Sequence, residues 1–392
     1  MSLRSRPGGA PTPRHASEAG RAPNLLHFAC TKRRAQLLEV GGRRSSRAIH
    51  ERLINGVLHR ITRRNRRLVR ILSVDGGGYL GFATASLLEA AERDLGSRCS
   101  DRFDLFCGTS TGAIIVLAFA AGHSAADVAG LYERLGHKIF PSPGIVRRHV
   151  PKLLRRMLGT AYNGAPLREA LRETFKDQTL GDLRARGKRV IVTAFCLTTG
   201  RPRLFKTDHG PQLKAHDQYL LRDIAMGSAA APSYLPIVEI NDPATGAVER
   251  FIDGGVCANS PALLAYAEAV SHLDQPPAQV QLLSVATPRA DLAERASART
   301  SSEDALGRGL FGWSSTIGKV MVDGTAMVNG TALQLIMSAA GGRYERIELP
   351  KPSGLELDVV TPKTTETLRQ LGVEIARSST VRERLIPFFC DS

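Results

Sequence analysis

What this chain lacks narrows its class before any motif is weighed. No apolar run reaches the roughly 18 to 20 residues that span a bilayer, and the longest, Ala113 to Ala121, falls inside a helical pattern. The N-terminus has no apolar stretch of the secretory kind. The six cysteines (Cys30, Cys99, Cys107, Cys196, Cys257, Cys390) are scattered, with neither metal-ligand spacing nor the density of a disulfide framework. These absences argue against a helical membrane protein, a disulfide-stapled secreted domain and a zinc module. They point to a soluble chain of a reducing, cytoplasmic compartment, meeting membranes only at a surface.

Acidic residues are scarce at one end. Residues 1–70 hold 17 Lys and Arg against 3 Asp and Glu, so that segment carries nearly all of the net charge of +16. Residues 1–67 are therefore expected to form a basic, disordered extension. An anchor for anionic membrane surfaces and an Arg-rich targeting peptide are the other readings. No nucleic-acid partner is expected. The remaining chain, residues 68–390, is long enough for one large α/β domain with a sizeable core.

The first clear strand is Leu68 to Val74, which runs into Asp75-Gly76-Gly77-Gly78 and then a helical pattern from Gly81 to Leu95. A second strand, loop and helix unit follows, with Phe103 to Cys107, the turn Gly108-Thr109-Ser110-Thr111-Gly112 and an apolar helix to Ala121. Strands alternating with helices predict a mostly parallel sheet covered on both faces. Further strands are predicted at Arg189 to Leu197, Val248 to Ile252, Gln279 to Val285 and Tyr344 to Leu349, with a C-terminal helix over Thr365 to Phe389. Residues 289–330, rich in Ala, Ser, Thr and Gly, give no clear pattern. Val146 to Leu158 interleaves Arg147, Arg148, Lys152, Arg155 and Arg156 with apolar residues, which fits a basic interfacial helix or a surface helix with one buried stripe.

Gly108-x-Ser110-x-Gly112 has the nucleophile-elbow pattern, in which glycines flank a serine because a tight strand-to-helix turn leaves no room for side chains. The pattern alone is weak, but here a strand precedes it and a helix follows. The amides of the Gly76, Gly77 and Gly78 loop could hold an oxyanion. Gly76, Gly78 and Gly81 also fit the dinucleotide fingerprint G-x-G-x-x-G, but no convincing acidic ribose-binding residue follows, since Asp94 and Asp101 fall in helix or turn. Asp253, in Phe251-Ile252-Asp253-Gly254-Gly255, stands at a strand end, where it could be a turn residue or a base to the serine. A Ser, Asp, His triad in α/β-hydrolase order would need His272, the only histidine after Asp253, and it lies in a helical segment. A Ser-Asp dyad fits better.

Together these motifs resemble the patatin-like phospholipases. The Asp-Gly-Gly-Gly loop, the G-x-S-x-G elbow and the distant Asp-Gly-Gly occur in that family's order. The likeness extends to Asn259, Pro261 and Met226-x-Ser228-Ala229-Ala230-Ala231-Pro232. The resemblance implies a three-layer α/β/α patatin-like fold and hydrolysis of phospholipid acyl esters without metal or organic cofactor. It also implies Ser110 as nucleophile, Asp253 as base and an oxyanion hole in the glycine loop. Some bacterial members answer to a nucleotide second messenger, which makes such an activator a candidate partner here. One departure is Leu80, where many members carry Arg or Lys. A non-catalytic module binding a phosphate or nucleotide ligand on the same fold, and a Ser-Asp-His carboxylesterase, are the competing expectations.

Overall fold

The computed structural model describes residues 68–141, 160–207, 214–289 and 317–390. The basic residues 1–67 and the Val146 to Leu158 pattern lie outside the described residues. Eight strands form one sheet: β1 (Val69–Val74), β2 (Leu105–Thr109), β3 (Arg189–Cys196), β4 (Arg201–Lys206), β5 (Val238–Asn241), β6 (Val248–Asp253), β7 (Val280–Val285) and β8 (Arg343–Ile347). Their order is β5-β6-β3-β2-β1-β7-β8, with β4 paired to β3. The β1–β2, β2–β3, β1–β7 and β7–β8 pairs are parallel, and the pairs among β3, β4, β5 and β6 are antiparallel.

The central strands are apolar on both faces, and their two faces enter different cores. Val69, Ile71, Leu105, Cys107, Ile191, Val280 and Leu282 line one cluster, whereas Leu72, Val74, Phe106, Val190, Val192, Leu283 and Val285 line the other. A strand with this double burial is stable only when helices cover both sides. The larger layer contains α1 (Gly81–Leu95), α2 (Thr111–Ala120), α3 (Ala125–Ile139), α4 (Ala165–Phe175) and α5 (Leu221–Ser228). The opposite layer contains α6 (Ala262–Ser271) and α7 (Ile317–Ala340), and the chain then returns to the larger layer with α8 (Pro362–Arg377) and α9 (Ser379–Phe389). All ten residues of α2 are buried, as expected for a helix that is apolar around its whole circumference. This is a three-layer α/β/α fold with a mostly parallel central sheet.

Four elements differ from the sequence reading. The C-terminal helix is two helices, separated at Ser378, whose extended ψ of 137° ends α8 and starts α9. The unassigned stretch contains the start of the 24-residue α7, which buries only Ala326, Leu333 and Met337 and carries Gly318, Gly324 and Gly330, so neither periodicity nor propensity marks it. Strands β4 and β5 were not predicted, because β4 begins Arg-Pro-Arg and β5 spans only four residues. Among the described residues no helix is long and apolar enough to cross a membrane, and Cys99, Cys107, Cys196, Cys257 and Cys390 are free thiols.

Helix α8 crosses α1 at Gly372, where a Cβ would lie 2.3 Å from the Ala83 carbonyl oxygen and 2.8 Å from the Leu87 nitrogen. Both obstacles are backbone, so the crossing cannot relax by a rotamer change. Gly372→Ala is expected to lower stability by about 1–3 kcal/mol, read as a reduced urea midpoint. An unchanged midpoint would mean that the two helices separate at little cost.

Candidate active site

Ser110 sits between the end of β2 and the first residue of α2, with φ 55° and ψ −123°. A residue with a Cβ seldom adopts this conformation, and it persists only where its surroundings over-determine it. Here they do. A Cβ on Gly108 would lie 2.4 Å from the Gly112 carbonyl oxygen, and one on Gly112 would lie 2.2 Å from that of Val74. The Ser110 amide donates to Ser228 Oγ at 2.9 Å, and Ser228 Oγ donates to the Thr193 carbonyl at 2.7 Å. Thr109 Oγ1 donates to the Ala258 carbonyl at 2.6 Å, and Thr111 Oγ1 is hydrogen-bonded to the Tyr132 hydroxyl.

Asp253 ends β6. Its antiparallel register with β3 sets Asp253 opposite Ala194, and β3 in turn sets Thr193 opposite Thr109. The register thus delivers two residues 143 positions apart to the same edge of the sheet. Ser110 Oγ donates to Asp253 Oδ2 at 2.5 Å. Gly255 N donates to Asp253 Oδ1 at 2.6 Å, and the Asp253 amide donates to the Ala230 carbonyl at 2.9 Å. Burial pushes the Asp253 carboxyl up to about 6, against the smaller opposing effect of the hydrogen bonds from Ser110 and Gly255. A carboxylate so placed accepts a proton readily near neutrality.

The glycine loop is pinned at both ends. Asp75 N donates to the Val285 carbonyl at 3.1 Å and Tyr79 N to that of Leu357 at 2.9 Å. Gly76 carbonyl accepts from Thr287 Oγ1 at 2.6 Å and from Asn259 Nδ2 at 3.5 Å. The expectation that Gly76 joins the oxyanion hole needs correction. Its amide donates to the Asn259 carbonyl at 3.2 Å and so is already committed. Gly76 matters instead through its missing side chain, since a Cβ there would lie 2.5 Å from Asn259 Oδ1 and 3.1 Å from Ser110 Cβ. The amides of Gly77 and Gly78 donate to no described residue, which leaves two donors in the loop that passes Ser110.

Leu80 is buried in the larger core, so a basic side chain in its place would be desolvated there. His272 caps the C-terminus of α6, with its side chain 57% exposed, and its Nδ1 lies 3.0 Å from Ser271 Oγ and 3.5 Å from Glu268 Oε2. No described histidine is hydrogen-bonded to Ser110 or Asp253. Asp94 accepts from Arg377 Nε at 2.8 Å on the surface rather than serving a ribose site. Residues that bind the site together but drew no role from the sequence are Ser228, Thr193, Thr287, Arg289 and Arg346. Of these only Ser228, inside its run of small residues, carried a visible signal.

A family model described as patatin-like phospholipase matches residues 72–266. A cGAMP-activated phospholipase of Pseudomonas aeruginosa is 31% identical over 316 residues, covering 80% of this chain and 86% of the relative. The chain belongs to the patatin-like phospholipase family. Patatin-like protein 2 of Arabidopsis thaliana is 26% identical, with 81% of this chain and 85% of the relative covered. A cGAMP-activated phospholipase of Escherichia coli is 33% identical over 236 residues, or 56% of this chain and 62% of the relative. Among solved structures, VipD from Legionella pneumophila aligns at 15% identity and a TM-score of 0.43, covering 82% of this chain and 67% of its own. As a patatin-like phospholipase family member, the protein is a carboxylic ester hydrolase of the lipid acyl hydrolase type.

The raised proton affinity of Asp253 has a stability consequence. The folded state holds that proton more tightly than the unfolded chain, so this group destabilises the fold as pH rises from about 4 to about 6, and the penalty persists above. Asp253→Asn removes it. The variant is expected to gain on the order of 1–3 kcal/mol over wild type at pH 8, with the gain vanishing toward pH 4. Denaturant midpoints of the two proteins at pH 4, 6 and 8 check this; a pH-independent difference would contradict it.

Proposed function

We propose that this family member cleaves acyl ester bonds of phospholipids through a Ser110–Asp253 dyad and an acyl-enzyme intermediate. The observation that carries the reading is the 2.5 Å hydrogen bond from Ser110 Oγ to a buried Asp253 of raised proton affinity. Ser110 Oγ attacks the ester carbonyl while Asp253 takes the hydroxyl proton. Negative charge develops on the carbonyl oxygen, and the amides of Gly77 and Gly78, which donate to no described residue, are available to meet it with the N-terminal dipole of α2. Collapse of the tetrahedral adduct expels the lysolipid alkoxide, which receives the proton from Asp253. Water, deprotonated by the same carboxylate, then releases the fatty acid and regenerates Ser110.

The catalytic domain is assigned to residues 68–390, with the basic residues 1–67 as its extension. Contact with a lipid surface is supported by exposed apolar side chains: Val256, three residues beyond Asp253, and Met321, Met327, Val328 and Leu335 along α7. A cyclic nucleotide is the proposed activator, on the strength of relatives described as cGAMP-activated and cUMP-AMP-activated phospholipases.

Fatty acid release from mixed phospholipid vesicles, with and without cyclic dinucleotides, tests the reading. Ser110→Ala and Asp253→Asn are expected to lose on the order of 10⁴-fold or more in kcat, while His272→Ala keeps wild-type rates. Because only the ionised carboxylate can accept the proton, kcat/KM should rise with pH through about 6. A wild type inactive on every lipid class with every nucleotide would sink the proposal.

A further inference from the structure

The Asp75 carboxylate directly precedes the glycine loop, is fully buried and belongs to no step of the proposed chemistry. It is taken up by two guanidinium groups from distant parts of the chain. Arg346, on β8, reaches Oδ2 through Nη2 at 2.7 Å and Oδ1 through Nη1 at 3.3 Å, and Arg289, just beyond β7, pairs with Oδ2 through Nη2. Arg346 Nη1 also donates to Ser284 Oγ at 2.6 Å and to Ser260 Oγ at 3.2 Å. Ser260 follows Asn259, whose carbonyl holds the Gly76 amide. Arg346 therefore grips the loop from two sides: through Asp75 at its start, and through the Asn259–Ser260 segment that seats Gly76.

This arrangement does more than close a charge balance. A buried ion pair contributes little net stability compared with apolar residues of the same shape. Its planar, forked geometry does fix orientation, which a point charge cannot do. The two loop amides without a partner, those of Gly77 and Gly78, lie one and two residues beyond the gripped Gly76. On their far side the loop is held by Tyr79 N on the Leu357 carbonyl at 2.9 Å, so their aim is set between that bond and the gripped Gly76.

We propose that Arg346, with Arg289, is a positioning residue for ester hydrolysis, acting through Asp75 and Ser260 to aim the Gly77 and Gly78 amides at the oxyanion. The assignment rests on the dyad and oxyanion reading above. Neither arginine touches substrate. The role of each is to keep the loop within the few tenths of an ångström over which an amide stabilises developing charge.

The test compares wild type, Arg346→Lys and the double variant Asp75→Asn/Arg346→Met, with Ser110→Ala as the blank. Arg346→Lys keeps the charge and loses the fork. It should lower kcat about 10- to 100-fold, leave KM within about twofold, and retain the acid limb near pH 6 because Asp253 is untouched. Phosphonylation of Ser110 by a p-nitrophenyl alkylphosphonate, in which the Oγ–P bond forms as nitrophenolate leaves, should slow by the same factor, since its P=O must enter the same hole. The double variant removes the Asp75–Arg346 pair and leaves Arg289 with Asp323, 3.7 Å away; its thermal midpoint shows that it is folded, and its kcat should stay low. A kcat for Arg346→Lys within twofold of wild type, recovery of wild-type kcat in the double variant, or a loss confined to KM would overturn the proposal. A Ser110→Ala protein that still releases fatty acid would remove the dyad reading, and this proposal with it.

Discussion

The backbone of Ser110, held at φ 55°, is the constraint around which the rest of the site is built. Such a conformation costs on the order of 1–3 kcal/mol, and three independent features hold it. Glycines at 108 and 112 let strand, turn and helix interpenetrate at distances no Cβ could tolerate. Ser228 bridges the Ser110 amide to β3, and the fully buried α2 anchors the other side. The result is a hydroxyl at the sheet edge whose position is set by core packing rather than by a loop. The Asp253 carboxylate is set equally firmly, because its own amide is bonded to Ala230, two residues from the same Ser228. The Ser110 hydroxyl and the Asp253 carboxyl are thereby referenced to one short segment, Ser228 to Ala230.

Two buried aspartates close to this edge have opposite environments. Asp75 has two arginines against its oxygens and ties β8 and the end of β7 to the start of the glycine loop. Asp253 has no ion-pair partner among the described residues, only a hydroxyl and an amide, so desolvation dominates and its proton affinity rises. Residue type is identical, and environment alone divides the roles.

Much of this was legible in the sequence because it is local. Apolar runs such as Val69 to Val74 and Val280 to Val285 announce strands buried on both faces, and the G-x-S-x-G turn lies between a strand and a helix that both register as such. The parts that stayed hidden depend on long-range pairing. That Gly76 gives its amide to Asn259, 183 residues away, cannot be seen in a loop whose glycines look equivalent. Arg346, one cation in the short strand Arg343–Ile347, differs from its neighbours only in what it meets once β8 pairs with β7. Helix α7 stayed hidden for a different reason, since so little of it is buried that its pattern is close to uniform.

Leu80 bears on how the oxyanion is stabilised. The position is sealed in the core, so the loop presents no cation of its own. The two arginines behind the loop do not replace it as a field source. Asp75 lies against both, Glu348 pairs with Arg346 at 2.5 Å, and Asp323 lies 3.7 Å from Arg289, so both guanidinium charges are met within the cluster. In the proposed mechanism, stabilisation of the oxyanion then falls to dipoles, two loop amides and the first turn of α2. Dipoles act over shorter distances than a full charge and lose strength faster when misaligned. A site of this kind therefore depends more heavily on exclusion of water and on rigid aim than one with a cation in the loop. The burial of Ser110 and Asp253, and the number of bonds that pin Asp75 through Tyr79, are what that dependence requires.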